Sequence, residues 1–207
     1  IFRNYKYPNI CFTGKIHEQI TPSIRELGKE LAESDIIIEH LGYNRDNKVI
    51  QEKVMRNYKL LMDQVRKEPT NGYAWFQLGQ TLGRMNLTQQ AVEAFKFAIE
   101  TRTLSDSIKS SAYSALAQMT GNLKQFKDCL FYAKKSLEIV PNQQYALHLK
   151  AYAELYLGYY EDSQKDFLQL IEMKSKSEIV PKTGFDIDIP IELIKSGYEK
   201  AKNRDNW

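Results

Sequence analysis

The stretch GYAWFQLGQTLGRMNLTQQAVEAFKFAIE, residues 72–100, decides the fold of this chain. Large and small residues recur in it at helical spacing, with Trp75 and Gly79 in the first half and Ala91 and Phe95 in the second. Small residues let two helices approach closely, and large residues fill the space between them. The stretch therefore predicts two antiparallel helices packed against each other.

The spacing of these residue types resembles the tetratricopeptide repeat (TPR), a unit of about 34 residues. With Gly72 as the first position, the agreeing residues are Trp75, Leu78, Gly79, Leu82, Ala91, Phe95 and Ala98. A second copy begins near Ser110, after a predicted loop at Thr103–Ser107, and has Tyr113, Leu116, Ala117, Cys129, Ala133, Ser136 and Pro141. A third copy begins at Gln144 and fits less well, with Leu147, Ala151, Gly158, Ser163 and Phe167.

Amphipathic helices are predicted on both sides of these repeats. Asn47–Lys67 carries a single apolar stripe at helical spacing, formed by Ile50, Val54, Tyr58, Leu61 and Val65. Pro69 then stands where a repeat's closing proline belongs, so we interpret this helix as half of an incomplete repeat. A further helix is predicted from Pro190 to about Lys202, where it would cover the last repeat.

Residues 1–45 have a different pattern. Apolar residues alternate with polar ones around residues 10–17, which is typical of a strand, and Asp35–Leu41 reads as a buried strand. Between them a short helix is expected, with Thr21 as N-cap, Pro22 in its first turn and Gly28 as its terminator. Two strands and one short helix are too few for a domain, so we expect the chain to be a piece of a longer protein.

Composition excludes several classes of function. The net charge is +3, and no Lys/Arg cluster is dense enough to follow a phosphate backbone, so nucleic acid is not an expected partner. No apolar run approaches the roughly 20 residues that a membrane span needs. The cysteines, Cys11 and Cys129, lie far apart in the sequence, and reduced thiols in a cytoplasmic protein are the expected state.

Three short motifs resemble the C-terminal part of bacterial family 2 glycosyltransferases that carry TPR repeats. They are Phe12-Thr-Gly-Lys-Ile-His-Glu18, then Asp35-Ile-Ile-Ile-Glu-His-Leu-Gly-Tyr43, then Lys53-Val-Met-Arg-Asn57 with Leu60-Leu61. In that family a GT-A catalytic domain precedes a hinge helix and the repeats. The resemblance implies a hexosyltransferase-type parent enzyme that uses a nucleotide sugar and a divalent metal, Mn or Mg. Its metal motif and catalytic residues would lie upstream of Ile1, so this fragment alone is expected to be inactive and to bind no metal.

The resemblance also points to individual residues. It places His17 near the metal and diphosphate, and a strand would put Lys15 on the same face, where a cation can meet phosphate. Glu18, His40 and Tyr43 would then lie on the acceptor side. The alternative for His17 is a hydrogen bond to a neighbouring loop at the end of a strand. For His40 we prefer a structural hydrogen bond at the junction with the hinge helix.

Asp186-Ile-Asp188 has the letters of the glycosyltransferase metal motif. It follows the repeats and has no nucleotide-binding region before it, so we reject it as a metal site.

The concave face of the repeats is the second candidate site. Its inward positions are predicted to carry Tyr73, Phe76, Gln80, Arg84, Gln118, Asn122, Tyr145, His148, Tyr152 and Tyr156. Aromatic rings with a few amides and one arginine suit an extended peptide or a glycan. The alternative is that these rings pack against the next helix.

The sequence thus predicts a mainly α fold, a TPR-type α-α superhelix preceded by a small β/α remnant of a GT-A domain. The expected divisions are the GT-A end at 1–45, a hinge or half-repeat helix at 46–70, three repeats at 71–174, and a linker with a capping helix at 175–207. The leading hypothesis is a cytoplasmic glycosyltransferase fragment whose repeats dock the acceptor or form a homodimer. The alternative is a non-catalytic TPR adaptor that binds a partner protein or peptide.

Overall fold

The structure, a computed structural model, describes residues 11, 20–29, 47–176 and 187–203. Helices and turns account for these residues, and there is no strand among them. The two predicted strands lie outside the described residues, apart from Cys11. The chain divides into two compact units, Ile1–Asp63 and Gln64–Trp207, and each is described by itself.

The described part of the first unit contains a short helix, α1, at Thr21–Glu26. The predicted N-cap at Thr21 is wrong, because Thr21 is the first helical residue and Ile20 occupies the cap position without a side-chain bond. The hydroxyl of Ser23 instead lies 2.9 Å from the Ile20 carbonyl oxygen and accepts from the Cys11 amide at 3.2 Å. Gly28 follows with a φ of +65°, a left-handed conformation that ends the helix as expected.

A long helix, α2, runs over Asn47–Lys67, the residues at which the sequence predicts it. Its apolar stripe is buried unevenly. Ile50 remains 37% exposed, whereas Leu61 and Val65 are 2% and 3% exposed. Periodicity therefore located the apolar face of α2 correctly but did not show that this face becomes fully buried only in the last two turns.

Three helix pairs follow in the region where the sequence predicts three repeats. They are α3 (Gly72–Arg84) with α4 (Thr88–Glu100), α5 (Asp106–Asn122) with α6 (Phe126–Ile139), and α7 (Gln144–Leu157) with α8 (Tyr160–Ser175). Each helix packs against the next along the chain. The predicted loop at Thr103–Ser107 is partly wrong, because α5 already begins at Asp106. The residues inserted before the second repeat therefore add about one turn to the start of α5.

Close helix packing explains the residue types that define the first repeat. A Cβ added to Gly79 would lie 2.8 Å from the ring of Phe95, so only glycine allows α3 and α4 to pack at this distance. Ala91 and Ala98 on α4 are completely buried, and so are Ala117 and Ala133 in the second repeat. Small residues thus lie at the helix contacts, as the sequence pattern predicts.

The last described helix, α9, extends over Ile191–Lys202. It packs against α8 and also contacts α7, which is the place that the first helix of another repeat would take. Ile194 and Ala201 are fully buried there, and the amide of Ile189 donates to Oε1 of Gln144 at 3.1 Å. These contacts place α9 where the sequence predicts a capping helix.

Candidate binding surface

The inner side of the stack is formed by the first helix of each repeat. Contacts join α3 to α5, α5 to α7 and α7 to α9. Two rows of side chains run across this side at equivalent repeat positions. One row contains Gln80, Gln118 and Tyr152, and the other contains Arg84, Asn122 and Tyr156. These six side chains, all at least partly exposed, define what we call the inner face.

Two other predicted members of the groove, Phe76 and Tyr145, are buried. Phe76 is 4% exposed and lies against Phe95, with ring centroids 5.8 Å apart. Tyr145 is 8% exposed and is hydrogen-bonded to Gln118. Phe76 and Tyr145 therefore belong to the core and are not groove residues, as the alternative of ring packing predicts. Tyr73 is partly buried and stacks on Phe76 at 6.3 Å.

The third repeat makes the inner face aromatic at one end. Tyr152 and Tyr156 are 36% and 41% exposed, and their ring centroids are 4.6 Å apart. Phe126, the first residue of α6, stacks on Tyr156 at 4.5 Å with an interplanar angle of 14°. Burial, together with a hydrogen bond to Tyr156, raises the pKa of Tyr152 to about 12. The Tyr152 phenol therefore stays neutral, and both rings offer exposed surface.

Sequence reasoning missed Phe126, which lies on a second helix. The available signal was its position directly after the turn Leu123–Gln125. The first residue of α6 lies beside the end of α5, and the ends of the first helices form one edge of the inner face. Tyr156, in turn, lies at the end of α7. The ring of Phe126 therefore comes from the neighbouring repeat and joins the second repeat to the third.

His148 lies beneath this aromatic end. Its ring centroid is 6.4 Å from that of Tyr152 and 6.1 Å from that of Phe167. Burial lowers the pKa of His148 to about 4, so the imidazole is neutral at physiological pH. Its Nδ1 is buried and has no hydrogen-bond partner among the described residues. His148 therefore contributes a neutral polar atom and no positive charge to the site.

Charge is distributed unequally between the two kinds of helix. The first helices carry Arg84, Asp106, Lys109, Lys150 and Glu154. The second helices carry Glu93, Lys96, Glu100, Lys127, Asp128, Lys134, Lys135, Glu138, Glu161, Asp162, Lys165, Asp166, Glu172 and Lys174. Glu154 is 2% exposed and paired with Lys150, which leaves Arg84 as the charged member of the inner face. Depletion of charge with enrichment of aromatic residues and Arg is typical of the centre of protein interfaces.

The predicted glycosyltransferase site cannot be placed. Lys15, His17, Glu18, His40 and Tyr43 all lie outside the described residues. Of the rejected motif, Asp188 is described and forms an ion pair with Lys174. In the described part of the chain, no cluster of three or more His, Cys, Asp or Glu side chains could hold a metal ion. Nor is any helix described there long and apolar enough to span a bilayer.

Comparison with protein families finds a match for the first repeat. Residues 72–102 match the family model described as a tetratricopeptide repeat. That range covers α3 and α4, the helices in which the sequence motif is clearest. No curated protein sequence matches the chain.

Solved structures share the fold of this helical stack at low sequence identity. The C-terminal TPR-containing domain of a Plasmodium falciparum FK506-binding protein is 17% identical, with a TM-score of 0.54 over 65% of this chain and 87% of that one. MamA is 13% identical, with a TM-score of 0.56 over 82% of this chain and 96% of that one. YrrB, described as a TPR protein with an unusual peptide-binding site, is 13% identical, with a TM-score of 0.54 over 76% of this chain and 80% of that one. At these identities the likeness concerns the fold alone.

Proposed function

We propose that the repeats bind an extended segment of a partner protein along the inner face. The observation that carries this proposal is the contrast in charge between the helices. The second helices carry many charged side chains, whereas the inner face combines two tyrosines, two glutamines and an asparagine with Arg84. A surface that served only for solubility would have no reason to differ in this way from the opposite side of the stack.

The dimensions of the inner face suit an extended chain. Packed helices lie about 8–10 Å apart, and an extended peptide advances about 3.3 Å per residue. Each repeat therefore corresponds to roughly three peptide residues, and the three repeats to a segment of about six to nine. Gln80 and Asn122 can pair with main-chain amides and carbonyls, while Tyr152 and Tyr156 offer ring area to one apolar side chain. YrrB, which shares the fold, is described as having a peptide-binding site.

The proposal is tested by selecting peptides from a random display library with the whole chain and measuring their affinity. The test variant is Tyr152→Ala combined with Tyr156→Ala, which removes the exposed aromatic end. The matched control is Phe131→Ala, because Phe131 is a 55% exposed aromatic residue on the second helix α6. Far-UV circular dichroism establishes that both variants retain their helices.

We expect the double variant to weaken binding of the selected peptides by at least tenfold and the control to leave it unchanged. Equal loss in both variants would place binding elsewhere on the stack. Failure to select any peptide would contradict the proposal.

A glycosyltransferase parent remains a second proposal, supported by the three motifs between residues 12 and 61. In that protein a nucleotide sugar and a divalent metal would bind near Lys15 and His17, and the repeats would dock the acceptor, a peptide or a glycan, or pair two copies. The test is His17→Ala in the longer protein, measured as turnover of the nucleotide sugar. Turnover at a near-normal rate would rule out the proposed role of His17.

A further inference from the structure

Three ionisable side chains meet between the helices of the third repeat. Nζ of Lys150 lies 3.0 Å from Oε1 of Glu154, one turn further along α7, and it is also paired with the Asp166 carboxylate of α8. The side chains of Glu154, Asp166 and Lys150 are 2%, 11% and 19% exposed. Two carboxylates and one ammonium group are therefore enclosed in a largely buried cluster.

The charges of this cluster do not balance when all three groups are ionised, because the sum is then one negative charge. Burying a net charge is unfavourable, and a buried carboxyl takes up a proton when no cation is left to neutralise it. One proton on Glu154, donated to Asp166, makes the cluster neutral.

The hydrogen bonds lead to the same conclusion. Oε2 of Glu154 is buried and receives no hydrogen bond from a donor among the described residues. A proton on one carboxyl would let that group donate to the other, and such a bond would give Oε2 the partner that it lacks.

Neighbouring helices bring neutral groups to α7 and α8. Gln118 of α5 bonds to Tyr145, the Cys129 thiol of α6 lies 3.7 Å from the Leu149 carbonyl, and Gln164 of α8 donates to the Ala201 carbonyl of α9 at 3.1 Å. Burial raises the pKa of Cys129 to about 12, so its thiol stays protonated. Lys150 and Asp166 are the charged groups that act on the Glu154 carboxyl.

We propose that Glu154 keeps a buried proton, donated to Asp166, well above the pH at which an ordinary glutamate loses it, so that the stability of the third repeat is linked to pH. Burial raises the pKa of Glu154 from its ordinary value of 4.5 to about 7, the hydrogen bond and charge of Asp166 act in the same direction, and Lys150 opposes them. The folded chain therefore binds this proton more tightly than the unfolded chain does. The stabilisation is complete below pH 4.5, decreases as the pH rises towards 7, and is lost above 7.

The first experiment follows the side-chain carboxyl carbons by ¹³C NMR as the pH is raised from 4 to 8.5 in the whole chain. We expect one resonance with a midpoint near pH 7, and we expect it to be absent from Glu154→Gln. In Asp166→Asn, Glu154 faces Lys150 alone, so its midpoint should move to lower pH. A midpoint below pH 5 for the Glu154 carboxyl of the unsubstituted chain would overturn the proposal.

The second experiment compares thermal unfolding midpoints over the same range. Glu154→Gln keeps the shape of the protonated side chain and does not titrate. Its midpoint should match that of the unsubstituted chain near pH 4.5 and exceed it by several degrees at pH 7 and above. The control is Glu138→Gln, which removes the carboxylate of an exposed pair in which Lys135 lies 2.7 Å from Glu138. Equal pH dependence of the difference in both variants would overturn the proposal.

Discussion

Nε2 of Gln143 lies 2.8 Å from Oγ of Ser110, and this hydrogen bond joins the start of the third repeat to the first helix of the second. The same nitrogen lies 2.7 Å from the Val140 carbonyl and 3.0 Å from Oγ of Ser136. The Ser136 hydroxyl in turn lies 2.8 Å from that of Ser114. All these polar groups are enclosed, because Gln143, Ser110 and Ser136 are fully buried. The network fixes the angle at which one repeat follows the next.

Replacing Gln143 with Ala should therefore destabilise the stack. The amide nitrogen of Gln143 carries two hydrogens, so the change removes up to two hydrogen bonds from enclosed acceptors, and each such loss costs about 1–3 kcal/mol. Urea unfolding measures the free energy, and Gln125→Ala is the matched control, since Gln125 is exposed and makes no side-chain capping bond at the start of α6. Equal losses in the two variants would show that the network contributes nothing specific.

The capping helix depends on a glycine. A Cβ added to Gly197 would lie 2.4 Å from Cζ of Phe167, whose ring is fully buried. We expect Gly197→Ala to separate α9 from α8 and to destabilise the chain by about 1–3 kcal/mol. Hydrogen exchange of the α9 amides should increase more than that of α5.

Gly83→Ala provides the control for this prediction. Gly83 also lies in a helix, but its added Cβ would meet Met119 at an ordinary 3.5 Å. Alanine has the higher helix propensity, so this variant should be more stable by about 0.5–1 kcal/mol. Destabilisation by both alanines would mean that a general effect of the substitution, and not the contact with Phe167, is responsible.

Equivalent turns join the two helices of each repeat through a left-handed residue. These residues are Asn86 and Lys124, both with a φ of 59°, and Gly158 with a φ of 80°. A left-handed conformation costs a lysine about 1–2 kcal/mol, and part of the gain from glycine is lost to the greater freedom of the unfolded chain. Lys124→Gly should therefore stabilise the chain by about 0.5–1 kcal/mol in urea unfolding. Asn86→Gly should change the stability less, because asparagine tolerates this conformation.

Helical periodicity made most of the fold predictable. It identified α2, the three helix pairs and α9, because a repeating apolar stripe is a local property of the sequence. The Thr21 cap was wrong because α1 begins at Thr21 itself, with the apolar Ile20 at the cap position, where residue preferences favour a polar side chain. The same limit applies to the binding surface. Repeat positions identified both rows of the inner face, but not the depth at which Phe76 and Tyr145 are buried.

Side-chain contacts between helices, such as the one in the buried cluster of the third repeat, were the least predictable feature. Glu154 and Asp166 are separated in sequence by a turn between two helices, and each has the polar character of an ordinary surface residue. Their meeting depends on the angle between α7 and α8. That angle is set by packing and not by any local pattern.

The buried, neutral ring of His148 should make the folded chain less stable in acid. The Glu154 carboxyl should have the opposite effect. Burial lowers the pKa of His148 to about 4 from its ordinary 6.5, so the unfolded chain binds a proton more readily than the folded chain between these values. The stabilisation from the neutral ring is therefore complete above pH 6.5 and is lost as the pH falls towards 4, by up to about 3 kcal/mol. Since the proton held by Glu154 has the opposite effect in this range, the unsubstituted chain should show a nearly flat profile. Thermal unfolding of His148→Gln should expose the contribution of the carboxyl pair, with stability that rises steadily from pH 6.5 to 4.5. The double variant with Glu154→Gln should be flat again, and a steady rise that persisted in it would contradict this assignment of the two opposing groups.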